Sequence, residues 1–290
     1  MILEQLFSGL VLGCIYGLVA LGFSLIYSAF QLPHFAQGDL LMLGAVIGLI
    51  ASRFVGLNFV PVLLITVVGV GGIGILMERL IYRKLSKHAI GPKIICTVTV
   101  GILLQNIVLV TWGSRPQSFP DSGFSGFPIV FGDRVFPPVY TFIILVTLIL
   151  VIILSILLLR TKIGLAMRAT AYSHDLAELM GVKTSSTLLI TFAIGAGLAG
   201  AAGLLIGQLL TISYTMGIAI GQKGFIAAVI GGFGNIPGAL LGGLFLGVVE
   251  NIGAGFVSSG LKDVISFGVL LLVLLVRPSG LFARVKEEKV

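Results

Sequence analysis

Two acidic residues, Asp39 and Glu250, fall inside long apolar stretches of the sequence, and a third, Glu78, lies at the end of another. Ionisable side chains are costly at membrane depth, so each is a candidate for transport chemistry or for a structural ion pair. Glu78 adjoins Arg79 and a basic loop, which favours an interfacial ion pair. Asp39 follows Gly38, where helix continuity is broken, so its carboxylate can cap a helix N-terminus or contact a transported solute. Glu250 lies among glycines, which favours a buried polar partner over contact with a solute.

A second candidate for solute binding is the apolar region 217–243, where glycines and Pro237 interrupt the helical pattern. Interrupted helices at membrane depth leave backbone groups unpaired, which is tolerated only where they are buried in protein or line a watery cavity. Transporters use such helix ends to hold polar substrates, and an amino-acid zwitterion would suit them. Glycine packing without substrate contact is the alternative. The residues of this region assigned to the substrate path are Gly221, Lys223, Gly231, Gly232 and Asn235.

The sequence lacks the patterns that most enzymes and metal sites require. No Gly-x-x-x-x-Gly-Lys-Ser/Thr loop is present, so the chain has no evident means of hydrolysing ATP. The three histidines, His34, His88 and His174, are scattered, and no Cys/His cluster has metal-ligand spacing. Cys14 and Cys96 fall inside apolar runs, which argues against a disulfide framework. We therefore expect neither enzymatic activity nor a metal or other cofactor.

The composition is typical of a membrane protein. Of the 290 residues, 57% are hydrophobic and only 10% are charged, and the mean hydropathy is +1.16, whereas soluble domains carry about 25% charged residues. We predict one all-α polytopic transmembrane domain over residues 1–290, with at least one broken helix, because apolar runs of about 20 residues cross the hydrocarbon core. Spaced glycines such as Gly9/Gly13/Gly17, Gly238/Gly242 and Gly243/Gly247 are predicted to pack helices closely. The apolar segments are 6–28, 35–52, 58–77, 94–112, 138–159, 186–209, 217–234, 238–257 and 262–276.

The basic residues predict the topology, because Lys and Arg are enriched in cytoplasmic loops. They cluster in 79–93, 160–183 and 277–289. Placing all three clusters in the cytoplasm requires nine crossings, an N-terminus outside and a C-terminus inside, with eight crossings as the fallback if the interrupted seventh segment is re-entrant. Segment 113–137 then becomes an external loop and 160–185 a cytoplasmic one. In a membrane protein the placement of the basic residues matters more than the net charge of +7, so the expected partners are lipid and protein, not nucleic acid.

A short amphipathic helix is predicted inside the cytoplasmic segment. It begins at Ser173 or His174, has acidic residues in its first turn, and ends at Gly181. Its apolar residues recur on one face at helical spacing. So short a helix is unstable alone and must lie against something, either the membrane surface or the groove of a partner protein.

Several stretches together resemble permeases of branched-chain amino-acid ABC transporters. In "GLVALGFSLIYSAFQLPHFAQGDLLMLGA", the small-aromatic-Ala-x-Gly motif of that family is matched by residues 34–38, although the family more often has Asn where this chain has His34. The second half is similar in "MRATAYSHDLAELMGV", "GAGLAGAAGLLIG", "GQKGFIAAVIGGFGNIPGALLGGLFLGVVE" and "FGVLLLVLLVRPSGLF". The resemblance covers about residues 8–282.

The resemblance implies a non-catalytic permease subunit of a high-affinity importer in a bacterial inner membrane. It would pair with a homologous second permease, as a heterodimer or a homodimer. Two cytoplasmic ATP-binding subunits would drive it, and an external binding protein would deliver the solute. That solute would be a branched-chain or other hydrophobic amino acid; close relatives carry urea and short amides, and more distant ones carry sugars.

The resemblance also helps to assign site residues. It places the coupling helix, which transmits the motion of the ATPase, at "AYSHDLAELMGV". The residues expected to contact the ATPase are Arg168, Ser173, His174, Asp175, Leu176, Glu178, Leu179, Met180 and Gly181. Besides the five residues of the region 217–243, the predicted substrate path includes His34, Phe35, Gln37, Gly38, Asp39 and Glu250.

An ion-coupled secondary transporter is the alternative from another class. Asp39 and Glu250 could supply its coupling, since such transporters use membrane-embedded acids. It does not require a long amphipathic cytoplasmic segment, however. A passive channel is disfavoured because the sequence shows no repeated polar ring or filter-like segment.

Overall fold

The computed structural model of the chain describes residues 2–55, 58–85, 90–119, 129–131, 134–256 and 258–282. The helix Phe59–Met77 continues through a π-helical turn, Glu78–Tyr82, into the short helix Arg83–Leu85, and a 3₁₀ turn, Ser259–Leu261, precedes the helix Lys262–Val276. The helices are α1 (Ile2–Phe30), α2 (Gln37–Val55), α3 (Phe59–Met77), α4 (Arg83–Leu85), α5 (Ile90–Trp112), α6 (Pro138–Arg160), α7 (Lys162–Tyr172), α8 (His174–Leu179), α9 (Thr184–Gly207), α10 (Met216–Gly231), α11 (Ile236–Phe256) and α12 (Lys262–Val276).

Every predicted apolar segment corresponds to a helix, which confirms the all-α polytopic fold. Among the described residues, seven helices are long and apolar enough to cross a membrane. The other two apolar segments form α10, with 16 residues, and α12, with 15. A helix of that length extends about 24 Å, less than the roughly 30 Å of a hydrocarbon core. The number of crossings therefore stays a prediction.

The segment 113–137 contains the one strand pair found in the described part of the chain. Strands β1 (Ile129–Phe131) and β2 (Arg134–Phe136) pair antiparallel. Gln117 exchanges backbone hydrogen bonds of 3.0 and 2.6 Å with Ile212, which ties this segment to the connection between α9 and α10. Parts of the predicted external loop (120–128 and 132–133) and of two basic clusters (86–89 and 283–290) lie outside the described residues.

Glycines allow α1, the central and most buried helix, to lie directly against α11. A Cβ atom on Gly13 would lie 2.8 Å from the Cα of Leu244, and one on Gly9 would lie 2.9 Å from the Cα of Val248. Gly243 of α11 in turn lies against the backbone of α1 at Gly17. Gly238 and Gly242 pack against α10 in the same way, so the predicted packing role of these spaced glycines is confirmed.

Helices α1 and α9 run antiparallel through the centre of the molecule. Gly22 lies beside Gly195, and further along, Phe30 packs against Phe192 with ring centroids 5.7 Å apart. Each of the two helices is followed by a short non-helical break and then by another helix, α2 or α10. Helix α2 begins beside Gly22, eight residues before α1 ends. The N-terminus of α2 therefore lies about 12 Å from the C-terminal end of α1, measured along α1.

The two helices that follow the breaks point in opposite directions, with their N-termini together. Helix α2 runs parallel to α9, and α10 runs parallel to α1. The contacts that establish this are Gly44–Gly200 and Gly48–Leu204 for the first pair. For the second pair they are Phe23–Phe225 and, just beyond the end of α10, Tyr27–Phe233. At the junction Gly38 and Gly217 touch, and a Cβ atom on either would overlap the carbonyl group of the other. We call α2 and α10 the half-helices.

Candidate functional site

A cavity of about 440 Å³ lies where the half-helices meet. Its size is within the roughly 300–1,000 Å³ of small-molecule sites. The first turns of α2 and α10 form one side, and α1, α5 and α12 complete the wall. Most of the wall is apolar: Phe23, Phe35, Val98, Ile102, Ile218, Phe225, Ile226, Phe267 and Leu270.

Asp39 is the one charged residue of the cavity wall among the residues that the structure describes. Its side chain lies in the first turn of α2 and is 6% exposed. Gln105 of α5 donates a hydrogen bond of 2.7 Å from Nε2 to Asp39 Oδ1. Within the described ranges, no cationic side chain lies within ion-pair distance of this carboxylate. Asp39 therefore occupies a helix start and borders the cavity at once, so the two interpretations of this residue do not exclude each other.

Phe35, in the break before α2, also lines the cavity. Its ring lies 5.6 Å from that of Phe225, centroid to centroid, across the junction of the half-helices. Of the residues assigned to the substrate path, those on the cavity wall are Phe35, Gly38, Asp39 and Gly221.

His34, the residue that departs from the family motif, faces away from the cavity. It is buried, and its Nε2 atom lies 2.8 Å from the hydroxyl oxygen of Tyr82, which belongs to the π-helical turn. Phe192 packs edge-on against the imidazole ring. Gln37 is buried as well and donates from Nε2 to the carbonyl oxygen of Gly195 at 2.8 Å. These contacts join the break to α3 and α9, outside the cavity wall.

Lys223 and Glu250 form an ion pair between α10 and α11, also outside the cavity wall. Lys223 Nζ lies 2.7 Å from Glu250 Oε1 and 3.2 Å from Asp263 Oδ1 of α12. The Ser266 hydroxyl donates to Glu250 Oε2 at 2.9 Å, and the Tyr16 hydroxyl donates to Oε1 at 3.4 Å. The polar partner expected for Glu250 is thus Lys223, supported by two hydroxyl groups.

The remaining path residues lie at the far end of α10. Gly232 adopts a φ of +89°, a conformation that glycine tolerates, where α10 turns into α11. Asn235 donates from Nδ2 to the Phe282 carbonyl oxygen at 2.5 Å. The Leu281 amide donates to the carbonyl oxygen of Ile230 at 2.8 Å. Gly232 and Asn235 therefore contact the segment after α12, and Gly231 packs against Gly238 of α11, all away from the cavity.

The predicted short helix is present as α8, with local caps at both ends. Ser173 is its N-cap, and its Oγ accepts a hydrogen bond from the Leu176 amide at 3.3 Å. Gly181 follows the helix with a φ of +80°, and the Val182 amide donates to the Ala177 carbonyl oxygen at 2.9 Å, a common C-terminal motif. Helix α7 leads into α8 at Ser173, so the two form a corner, which we call the α7–α8 corner.

The corner presents an apolar surface. Leu176, Leu179 and Met180 are 54%, 82% and 85% exposed, whereas Ala177 on the opposite face of α8 is buried. Thr184 donates from its hydroxyl to Glu178 Oε1 at 2.5 Å, which fixes the corner to the start of α9. Leu176, Leu179 and Met180 thus form an exposed apolar face on a corner that is fixed to α9.

Sequence reasoning missed Gln105, Ile218 and Phe225 of the cavity. The available signal for Gln105 is an amide within a mostly apolar helix. Ile218 and Phe225 carry no signal, because the same residue types are common on lipid-facing surfaces. Among the described residues, no three His, Cys, Asp or Glu side chains come together as a metal site.

Comparisons with known proteins find relatives over nearly the whole length of the chain. Residues 5–274 match the sequence profile of the family described as "Branched-chain amino acid transport system / permease component". The chain is 35% identical to the high-affinity branched-chain amino acid transport system permease protein BraD of Pseudomonas aeruginosa, over 99% of this chain and 98% of that protein. It is 37% identical to the permease protein LivH of Escherichia coli K12, over 99% and 97%. It is 30% identical to the probable permease LivH of Methanocaldococcus jannaschii, over 91% and 87%. No solved structure matches significantly.

Proposed function

The chain belongs to the branched-chain amino acid transport permease family, and from this premise we propose that it is the membrane-spanning permease subunit of an ABC importer. Its solute is a branched-chain or other hydrophobic amino acid. The observation that carries the proposal is similarity over nearly the whole length of both chains, because it includes the cavity, the half-helices and the α7–α8 corner together.

The cavity at the junction of the half-helices forms part of the translocation path. Its wall combines an apolar surface with the carboxylate of Asp39, and such a combination suits a solute that has both a charged and an aliphatic part. Broken helices are tolerated at membrane depth only where they are buried or line a cavity, and the helices that follow both breaks line this cavity.

Energy comes from partner subunits that hydrolyse ATP. The α7–α8 corner docks into a groove of the ATPase, because its exposed Leu179 and Met180 need an apolar partner and a helix placed in a groove is a common recognition mode. A homologous second permease and an external binding protein complete the importer.

The orientation follows from the basic residues. Arg160, Lys162, Arg168 and Lys183 surround the corner, so it lies in the cytoplasm of a bacterial inner-membrane protein. The N-terminus of α1 is then outside, and the segment after α12, which contacts the inner end of α10, is inside.

Transport by the complete importer in proteoliposomes tests the proposal. Uptake of radiolabelled leucine must require ATP, the ATPases and the binding protein. Uptake that an ion gradient drives without the partner subunits would establish a secondary transporter instead, and import of urea in place of leucine would contradict the solute class.

A pair of variants tests the docking of the corner. Asp175→Lys combined with Leu179→Ala is expected to abolish leucine uptake while membrane insertion and assembly of the permease pair persist. The matched control is Phe54→Ala, which removes a side chain that is 85% exposed at the other end of α2. Normal uptake by the corner variant would contradict the docking.

A further inference from the structure

The half-helices share a pattern but differ at one equivalent position. The second residue of each is a glycine, Gly38 in α2 and Gly217 in α10, and these glycines allow the two N-termini to touch. The third residue is Asp39 in α2 and Ile218 in α10, and both line the cavity. One half-helix thus contributes a carboxylate to the cavity and the other contributes an aliphatic side chain.

Asp39 and Glu250, two of the buried acids of the membrane region, differ in their partners. Glu250 is 1% exposed and has the ammonium group of Lys223 at 2.7 Å. Asp39 is almost as buried, but its hydrogen bond from another side chain comes from the neutral amide of Gln105. A carboxylate in a low-dielectric site is stabilised most by a cation. Asp39 also borders open volume, so a solute can supply that cation.

The electrostatics of the junction favour a solute without net charge. Each helix N-terminus carries roughly +0.5 of an elementary charge. The two N-termini meet beside Asp39, so the sum of their partial positive charges roughly cancels the negative charge of one carboxylate. A zwitterion preserves this balance, because its ammonium group can pair with Asp39 while its carboxylate lies near the helix ends. A solute with a net positive or negative charge does not preserve it.

We propose that the cavity binds an amino acid with its ammonium group on the Asp39 carboxylate and its aliphatic side chain against Ile218 and Phe225. This assignment rests on the proposed function and adds the orientation of the solute. Gln105 positions the carboxylate, and the asymmetry between the half-helices selects for aliphatic side chains. A side chain bearing its own charge would lie unpaired against the apolar wall and be rejected.

The test uses the complete importer in proteoliposomes, with leucine uptake by the unaltered chain measured first. Asp39→Asn removes the charge but keeps an oxygen that can accept the Gln105 hydrogen bond. Losing one partner of a desolvated charged contact is costly, so leucine uptake at limiting concentration should fall at least about tenfold. Asp39→Glu keeps the charge and should retain more uptake than Asp39→Asn.

Asp263→Asn is the matched control, because it makes the same chemical change at an acid outside the cavity whose side chain is 74% exposed. Its uptake should stay within about threefold of the unaltered importer.

A labelling experiment locates the bound solute independently of transport. Gln222 is exposed on the cavity wall, and Gln222→Cys in a chain with Cys14 and Cys96 replaced by Ala provides one reactive thiol. Leucine should slow its alkylation in the assembled importer, and Asp39→Asn should remove that protection.

The outcomes separate the two proposals. An unaltered importer that does not carry leucine contradicts the proposed function. An unaltered importer that carries leucine, combined with undiminished uptake in Asp39→Asn or with leucine protection that survives this change, overturns the orientation alone. Loss of both uptake and protection in Asp39→Asn, with Asp263→Asn unaffected, supports it.

Discussion

Removing Lys223 should destabilise the fold more than neutralising its partner Glu250. Glu250 is 1% exposed, so Lys223→Met leaves a buried carboxylate whose remaining side-chain partners are the hydroxyls of Ser266 and Tyr16. Breaking a buried ion pair in this way costs about 3–5 kcal/mol.

The reverse change, Glu250→Gln, should cost less. Lys223 keeps the carboxylate of Asp263 at 3.2 Å, so it retains a charged partner. Because Asp263 is largely exposed, its ion pair with Lys223 contributes at most about 1 kcal/mol to the stability of the unaltered protein. We expect about 1–3 kcal/mol for Glu250→Gln, the typical cost of a polar group that loses a hydrogen-bonded partner.

The double variant, Lys223→Met with Glu250→Gln, should be little worse than Glu250→Gln alone, because no buried charge is left without a partner. Equilibrium unfolding in mixed detergent micelles would give the free energy of unfolding for all four proteins and hence the coupling energy. If Lys223→Met costs no more than Glu250→Gln, or if the two effects add within about 0.5 kcal/mol, Lys223 and Glu250 do not act as a coupled buried pair.

Two further predictions use the same titration. Gly243→Ala places a Cβ atom on the backbone of α1 and should cost about 1–3 kcal/mol, whereas Gly72→Ala, which meets nothing within 4 Å, should be neutral; equal effects would contradict the close packing of α1 and α11. Replacing His34 by Phe leaves the buried Tyr82 hydroxyl without its 2.8 Å partner and should cost about 1–3 kcal/mol. Adding Tyr82→Phe should then recover part of that loss, and no recovery would show that the hydrogen bond is not what His34 contributes.

Features with local causes could be predicted from the sequence. Helix α8 begins and ends where its capping residues, Ser173 and Gly181, indicate, because each cap depends on contacts within a few residues. The apolar segments were located for a similar reason, since a helix in lipid satisfies its own backbone. Their number of crossings could not be fixed, because α10 is too short to span alone and its depth depends on α1 and α2.

Side-chain direction inside a non-helical break could not be predicted. His34 and Phe35 are adjacent, and the motif assigned both to the substrate path, yet Phe35 lines the cavity and His34 contacts Tyr82. A break lacks the regular periodicity that relates neighbouring side chains in a helix. The partner of Glu250 was equally hidden: its glycine-rich surroundings indicated a buried polar contact, but only the packing of α10 on α11 selects Lys223.

Helix packing explains why Glu250 has a cationic partner within the fold whereas Asp39, among the described residues, has none. Helices α10 and α11 lie side by side, so Lys223 and Glu250 face each other and neutralise charge within the fold. At the junction of the half-helices, two helix N-termini meet, and both carry a partial positive charge. A lysine there would add to the repulsion, whereas Asp39 offsets it. Among the described residues, the fold thus holds a carboxylate at the cavity without a cationic side chain within ion-pair distance, and the proposed orientation places the ammonium group of the solute there.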